Sequence, residues 1–193
     1  MKNKGILYVI SGPSGVGKGT ICKKLIENNP NVTVSVSATT RKPREEDTEG
    51  VTYFFKTKED FERMIEDGEF LEWAKYNENY YGTPKAPVLE QLESGRDVIL
   101  EIEVQGGVKV IEGDIPVVSV FIAPPSKETL FERLRGRGSE EGDLSEEEIK
   151  KRVAAAEYEL SQRSKYKYTV INDLLDDAVR QIEDIMKKER NVL

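Results

Sequence analysis

A lysine behind a set of glycines offers the first chemistry in the sequence. Gly12, Gly17 and Lys18 stand in GPSGVGKGT as Gly-x-x-x-x-Gly-Lys, the spacing of a loop whose backbone N–H groups converge on a phosphate while the lysine supplies a mobile cation. Gly12, Gly15 and Gly17 allow the positive φ angles and close backbone approach such a loop needs. Gly19 stands where these loops carry the Ser or Thr that meets Mg²⁺, and Thr20 follows one position later. Arg41 and Arg44, three apart in TTRKPR, suit a second phosphate because guanidinium forks take phosphate oxygens bidentately; alone they read equally as a solvated basic loop. Glu101 and Glu103 close the run DVILEIE two apart, which on one strand puts both carboxylates on one face. Arg135 and Arg137 in RGRGSEEG, with Arg152 farther on, are phosphate-seeking groups in a glycine-flanked setting. A cradle, an arginine pair and an arginine-bearing cover imply two phosphate-bearing ligands brought together. With no histidine in the chain, the chemistry read from these residues is direct in-line phosphoryl transfer between nucleotides, driven by positioning and charge neutralisation.

These groups need elements to hold them. Ile6, Leu7, Val9 and Ile10 form the near-continuous apolar run of a parallel strand buried on both faces. After the glycines, Ile21, Cys22, Leu25 and Ile26 recur at helical spacing, so the loop's N–H groups lie at a helix N-terminus, where anions are favoured. Val32 to Ser37 alternates as a half-exposed strand does. Thr57 predicts the N-cap of a helix reaching Gly68, with Phe61, Met64 and Ile65 on one face. Around it, Val51 to Phe55, Phe70 to Tyr76 and Tyr80 to Thr83 read as short strands, the last two joined through Asn77-Glu78-Asn79. Residues 33–84 therefore make a small mixed lobe, rich in Tyr53, Tyr80, Tyr81 and Trp73, which suit a wet pocket or the packing of the lobe itself.

Past the lobe, a helix around Val88 to Leu92 ends at Gly95, and Asp97 to Glu103 is a second buried strand. A helix from about Gly106 to Ile111, a strand Val117 to Ile122 and a helix Lys127 to Arg135 capped by Ser126 follow. The segment 135–142 reads as a mobile loop, and Ser145 with Glu148 as a capping box opening a long helix. Residues 125–156 then form either a lid or a charged surface hairpin. A strand Tyr168 to Ile171 and a helix from about Leu174 to Lys188 complete an alternating pattern. Its expected fold is α/β, a parallel sheet with helices on both faces and a ligand crevice at the carboxyl ends of the strands.

Composition narrows the partners. At 193 residues the chain suits one core with inserted lobes, and its net charge of −7 argues against nucleic acid or an anionic membrane as the main partner. No apolar run approaches the roughly 18 residues of a membrane span, and the opening Lys-Asn-Lys lacks a secretory segment, so a cytoplasmic location is expected. The single cysteine, Cys22, excludes an internal disulfide framework. Charged residues are 34% of the chain against about 25% in average domains, a Lys and Glu enrichment seen in hyperthermophiles that predicts melting above roughly 80 °C.

GPSGVGKGT, SATTRKPR, EGVTYFF, FLEWAKYNENYYGT, IEVQG, FIAPPS, RLRGRG and the late VIND, in order over nearly the whole chain, resemble guanylate kinase, of the P-loop nucleoside monophosphate kinase class. The resemblance implies a core of residues 1–32, 85–124 and 157–193, a GMP-binding lobe at 33–84 and a lid at 125–156. It implies Mg²⁺-dependent transfer of the γ-phosphoryl of ATP to GMP or dGMP. Gly12, Pro13, Ser14, Gly15, Val16, Gly17, Lys18, Gly19 and Thr20, with Arg133, Arg137 and Asn172, match the ATP side. Ser37, Arg41, Arg44, Tyr53, Glu72, Tyr81, Thr83, Glu101 and Glu103 match the GMP side. Lys18, Arg41, Arg137 and Arg152 match the groups around the transferring phosphoryl, and Thr20 and Glu101 are the indirect metal contacts. Glu101 and Glu103 lengthen an Asp-x-Asp pair, and Ala38 and Gly19 replace hydroxyl residues found in many relatives. A scaffold module that keeps the fold without catalysis, and a kinase for AMP or UMP, are the competing readings.

Overall fold

In the computed structural model the first apolar run is β1, Leu7–Ser11, with every residue buried. Described are residues 4–76, 78–140 and 146–192, with side chains other than those of 134–140, 146, 148 and 149. β1 is the middle strand of a five-stranded sheet in the order β2-β7-β1-β8-β9, where β2 is Val32–Val34, β7 Asp97–Glu101, β8 Val118–Ala123 and β9 Tyr168–Ile171. All four ladders are parallel. From β1 the chain builds outward on one side through β2 and β7, then crosses to β8 and β9 on the other. The reversal opens a crevice at the carboxyl end of β1, where the glycine loop begins.

The alternation of β1 divides the core in two. Tyr8 and Ile10 pack with Ile21 and Leu25 of α1, Lys18–Asn28, and with Val179, Ile182 and Met186 of the last helix, Leu175–Arg190. Leu7 and Val9 face the opposite cluster, with Val88 and Leu92 of α3, Lys85–Glu93, and Val104 and Val110 of α4, Val104–Ile111. Helices thus cover both faces, as the alternating pattern requires.

A second sheet, β4-β3-β6-β5, stands apart: β3 Ala38–Thr39, β4 Phe54–Phe55, β5 Phe70–Tyr76 and β6 Asn79–Pro84. Its small core is α2, Lys58–Glu66, laid on the sheet through Phe61, whose ring stacks on Phe70 at 4.4 Å and Tyr80 at 5.3 Å between centroids. Thr57 caps this helix as its spacing predicts, Oγ1 accepting from the Asp60 N–H at 3.1 Å. The other expected cap, Ser126, accepts from Thr129 N at 3.1 Å and opens α5, Lys127–Glu140. α6, Glu146–Ser161, a 3-10 turn, Gln162–Lys165, and α7, the last helix already described, finish the chain.

Several local expectations change. β2 stops at Val34, and Thr33 and Val34 pair with β7 in the core sheet. Only Phe54 and Phe55 of Val51 to Phe55 are strand, because Val51 and Thr52 close a turn on the Thr48 carbonyl at 3.1 and 2.9 Å. β7 ends at Glu101, and Glu103 is the N-cap of α4, so the two carboxylates do not share a strand face. The chain from Arg135 to Glu140 is helical, the cost of about 1 kcal/mol per interior glycine being carried by the surrounding strong helix formers. The Ser145–Glu148 capping box and the turn at Asn77 lie outside the described residues.

The far end of the sheet is fastened by Asp97, 5% exposed, whose Oδ1 accepts from Ile6 N at 2.7 Å and from the Arg190 guanidinium. Removing that carboxylate orphans a buried N–H and a partly buried cation. Asp97→Ala is expected to cost about 2–4 kcal/mol, read as a lower urea midpoint, with kinetic constants unchanged because Asp97 lies at the strand end away from the crevice.

Candidate functional site

The glycine loop links β1 to α1. Gly15 and Gly17 hold φ angles of 81° and 97°, the left-handed region that glycine enters without a Cβ penalty. Gly12 is required for a different reason: a Cβ there would strike the backbone carbonyl of Ile122 on the neighbouring β8. Lys18, the first residue of α1, folds back over the loop, Nζ donating to Gly12 O at 2.6 Å and Pro13 O at 3.3 Å. Its ammonium is thus held above the amides rather than extended into solvent.

Asn172, 8% exposed, fixes the loop from behind. Its Nδ2 donates to Val16 O at 2.7 Å, its own N–H donates to Ala123 O at 2.8 Å, and its carbonyl accepts from Arg133 at 3.3 Å. A Cβ on Gly17 would lie 2.6 Å from that Nδ2. Asn172 and Arg133, expected on the ATP side, therefore meet one another, and Asn172 meets the loop.

The carboxylates converge on the floor of the crevice. Glu101 Oε1 stands 3.4 Å from where a Gly19 Cβ would be, so this carboxylate reaches into the space left by the missing hydroxyl residue. Burial pushes its pKa up, the Lys18 ammonium pulls it down, and Glu103 pushes it up again. Glu103 stands beside Glu159 of α6, whose pKa burial and then Glu103 raise, and Glu159 Oε2 accepts from the Ser14 amide of the loop at 3.3 Å. Behind them Tyr166 donates to Val104 O at 3.3 Å, close enough that a Cβ on Gly107 would collide with its hydroxyl and with Ser11.

Across the crevice, the second sheet carries a carboxylate and an arginine. Glu72 and Thr83 are paired in register on β5 and β6, and Glu72 Oε1 accepts from Thr83 Oγ1 at 2.8 Å. The other oxygen, Oε2, packs on α4, 2.9 Å from where a Gly106 Cβ would stand. Burial raises the Glu72 pKa, against the Thr83 hydroxyl, Lys109 and the Thr83 amide, which favour the anion. Arg41 lies 5.4 Å from the centre of the Tyr53 ring and 5.8 Å from that of Phe55, with Tyr53 and Tyr81 edge to face at 6.1 Å. Its NH1 pairs with Asp47 at 2.9 Å. Arg44 is exposed, and Ser37 meets the sheet through its carbonyl, which accepts from Phe54 N at 2.9 Å.

Thr20 is exposed on the first turn of α1, and Arg152 is half-buried on α6. The Arg137 backbone is in α5, and its side chain lies outside the described residues. Asp47, Glu159, Tyr166 and Gly106–Gly107 were missed from sequence. Glu159 had a signal, since it follows Arg152 by seven and so shares its helix face; two adjacent glycines in the first turn of α4 marked a close approach.

A glycine loop leading into a helix under a folded-back lysine, at the switch point of a parallel sheet, facing a lobe with a buried carboxylate and an arginine beside aromatic rings, defines a P-loop nucleoside monophosphate kinase. Comparison with known proteins is specific about which. The guanylate kinase family model matches residues 4–189, and the chain belongs to that family. It is 54% identical over 190 residues to a guanylate kinase of Caldanaerobacter subterraneus subsp. tengcongensis, covering 98% of this chain and 90% of that one. A guanylate kinase of Clostridioides difficile is 50% identical over 97% of this chain and 90% of its own length. The crystal structure of guanylate kinase from Anaplasma phagocytophilum superposes with a TM-score of 0.73 at 32% identity, covering 97% of this chain and 87% of that one.

The carboxyl pair has a consequence for stability. Burial first, then repulsion from Glu103, raise the Glu159 pKa to about 7, against about 4.3 in an unfolded chain. Between those values the folded protein holds a proton that the unfolded chain has released, so this group's contribution to stability falls as pH rises through the window. Glu159→Gln, which keeps an acceptor for Ser14, is expected to escape that loss. Its urea midpoint should gain on the parent's between about pH 5 and about pH 8.

Proposed function

We propose that the chain transfers the γ-phosphoryl group of ATP to GMP, and also to dGMP, giving ADP and GDP or dGDP. A phosphate oxygen of the monophosphate attacks the γ-phosphorus in line as the bond to the β–γ bridging oxygen breaks. The reading rests chiefly on one observation: α4 ties the two halves of the crevice together. Its N-cap Glu103 reaches Glu159 and so the loop, while its first turn packs on Glu72 through Gly106.

In this reading the amides from Ser14 to Thr20 receive the ATP phosphates, and Lys18 releases the Gly12 carbonyl to neutralise charge that moves onto the β- and γ-oxygens. Arg41, Arg44, Tyr53 and Tyr81 hold the phosphate of the monophosphate. Glu72, Thr83 and Ser37 read guanine, whose N1–H and N2 amino group offer two adjacent donors to one carboxylate. Adenine turns a bare acceptor to the same edge. Arg133 and Asn172 flank the ATP end, and Arg137 and Arg152 close over the transferring group.

Mg²⁺ is part of the proposal. Among the described residues no three His, Cys, Asp or Glu side chains are grouped to hold a metal ion, and Gly19 brings no hydroxyl. The donors at hand, Thr20 and the Glu101 carboxylate beside Gly19, are oxygens and fit a hard cation that enters on ATP and keeps much of its water. When bound, it spreads the charge of the β- and γ-phosphates. The parts proposed to move are the lobe, 33–84, and the lid, 125–156, against a core of 1–32, 85–124 and 157–193. Closure expels water and brings the arginines to the phosphates. The cytoplasm is its proposed compartment; among the described residues no helix is long and apolar enough to cross a membrane.

ADP formation from ATP with GMP, dGMP, AMP and UMP in turn tests the reading. GMP is expected to be the best acceptor with dGMP also used, and turnover of AMP at an equal rate, or of none, would overturn it. Lys18→Met should lower kcat at least ~100-fold, in the range of lost electrostatic stabilisers.

A further inference from the structure

The run Glu45-Glu46-Asp47 follows the arginine pair, and its last member does not point away into solvent. The Asp47 side chain is 7% exposed and that of Arg41 17%. One Asp47 carboxylate serves both arginines: Oδ2 pairs with Arg41 NH1 at 2.9 Å and accepts the Arg44 backbone N–H at 2.7 Å. The Asp47 N–H donates back to the Arg44 carbonyl at 3.1 Å, closing the segment between them into a turn. Arg41 NH1 also donates to Lys42 O at 2.9 Å. This nitrogen is thus committed to the protein, while Nε and NH2 have no hydrogen-bond partner among the described residues. With the guanidinium beside the rings of Tyr53 and Phe55, the other edge of the fork remains for an anion.

We infer that Asp47 is a positioning residue for the monophosphate: it fixes the Arg41 fork and the Arg44 turn before substrate arrives, so that Nε and NH2 of Arg41 meet the phosphate in one orientation. The inference rests on the proposed use of Arg41 at the GMP phosphate. Arg41 holds the Asp47 carboxyl below the usual carboxylate range, with the Arg44 amide and the Thr52 hydroxyl adding to the effect, so Asp47 is an anion at neutral pH. An exposed acidic residue of a solvated loop would make none of these contacts. An arginine without this tether would spread over many rotamers, and the phosphate would have to order it on binding.

The test is kinetic and binding analysis of Asp47→Ala, Asp47→Asn and Asp47→Glu. Asp47→Ala should raise KM for GMP about 10- to 100-fold, the scale of a misplaced binding group, with KM for ATP within about twofold of the parent. Asp47→Asn, which can accept the Arg44 amide but lacks the charge for Arg41, should fall between Asp47→Ala and the parent. Asp47→Glu, which restores the charge one methylene farther out, should recover most of the loss. Binding measured by calorimetry separates positioning from damage to the lobe. Asp47→Ala should weaken GMP and leave guanosine, which has no phosphate, unchanged.

Equal weakening of guanosine, or an unchanged KM for GMP in Asp47→Ala, overturns the inference. No GMP turnover in the unsubstituted enzyme would instead overturn the function proposed for the chain. The two failures are therefore distinct.

Discussion

Two polyanions must meet inside a crevice of a chain whose own net charge is −7, and this constraint shapes the rest. Bringing phosphates together out of water is unfavourable unless dipoles and cations already stand where the charge will be. The loop amides at the start of α1 are one such array, fixed by Gly12 against Ile122 and by Asn172 against Val16. Lys18 and Arg41 are the cations we assign to the two phosphates, and each is held by the protein itself. Lys18 rests on loop carbonyls and Arg41 on Asp47. Holding both in place lowers the ordering that binding must impose.

The same crevice holds Glu101, Glu103 and Glu159, and burial first, with repulsion from Glu103 added, raises the pKa of Glu101 and of Glu159. These carboxylates work against phosphate binding on charge alone. Their geometry gives them another use, because Glu103 and Glu159 connect the N-terminus of α4, the helix α6 and the Ser14 amide. Arg152, two turns before Glu159 on the same helix, is thereby tied in orientation to the loop. Charge is tolerated here for the sake of a joint between α4, α6 and the glycine loop.

What the sequence disclosed follows from the range of each interaction. The loop, the Thr57 cap, β5 and β9 are local patterns, and the structure has them where the spacing put them. Glu72 and Thr83 were singled out through family resemblance alone, and that they stand opposite one another on β5 and β6 is a finding of the structure. The shared strand face of Glu101 and Glu103 failed because nothing local marks where β7 stops and α4 starts. Arg135 to Glu140 failed because glycine weakens a helix without breaking it. Glu159 escaped notice because its contact crosses 145 residues of sequence. Asp47 is close to Arg41 in the chain, yet an acidic run reads as solvated surface until the turn that buries one member is seen.

We assign the choice of base to a buried carboxylate, Glu72, that accepts two donors, and calorimetric titration of the protein with GMP and with inosine monophosphate tests this. The two ligands share the ribose, the phosphate and the N1–H, and differ by the N2 amino group. A hydrogen bond to a charged acceptor contributes about 1.5–3 kcal/mol, so inosine monophosphate should bind about 10- to 150-fold more weakly. Equal affinity for the two would contradict the account, since the carboxylate would then not be reading the amino group at all.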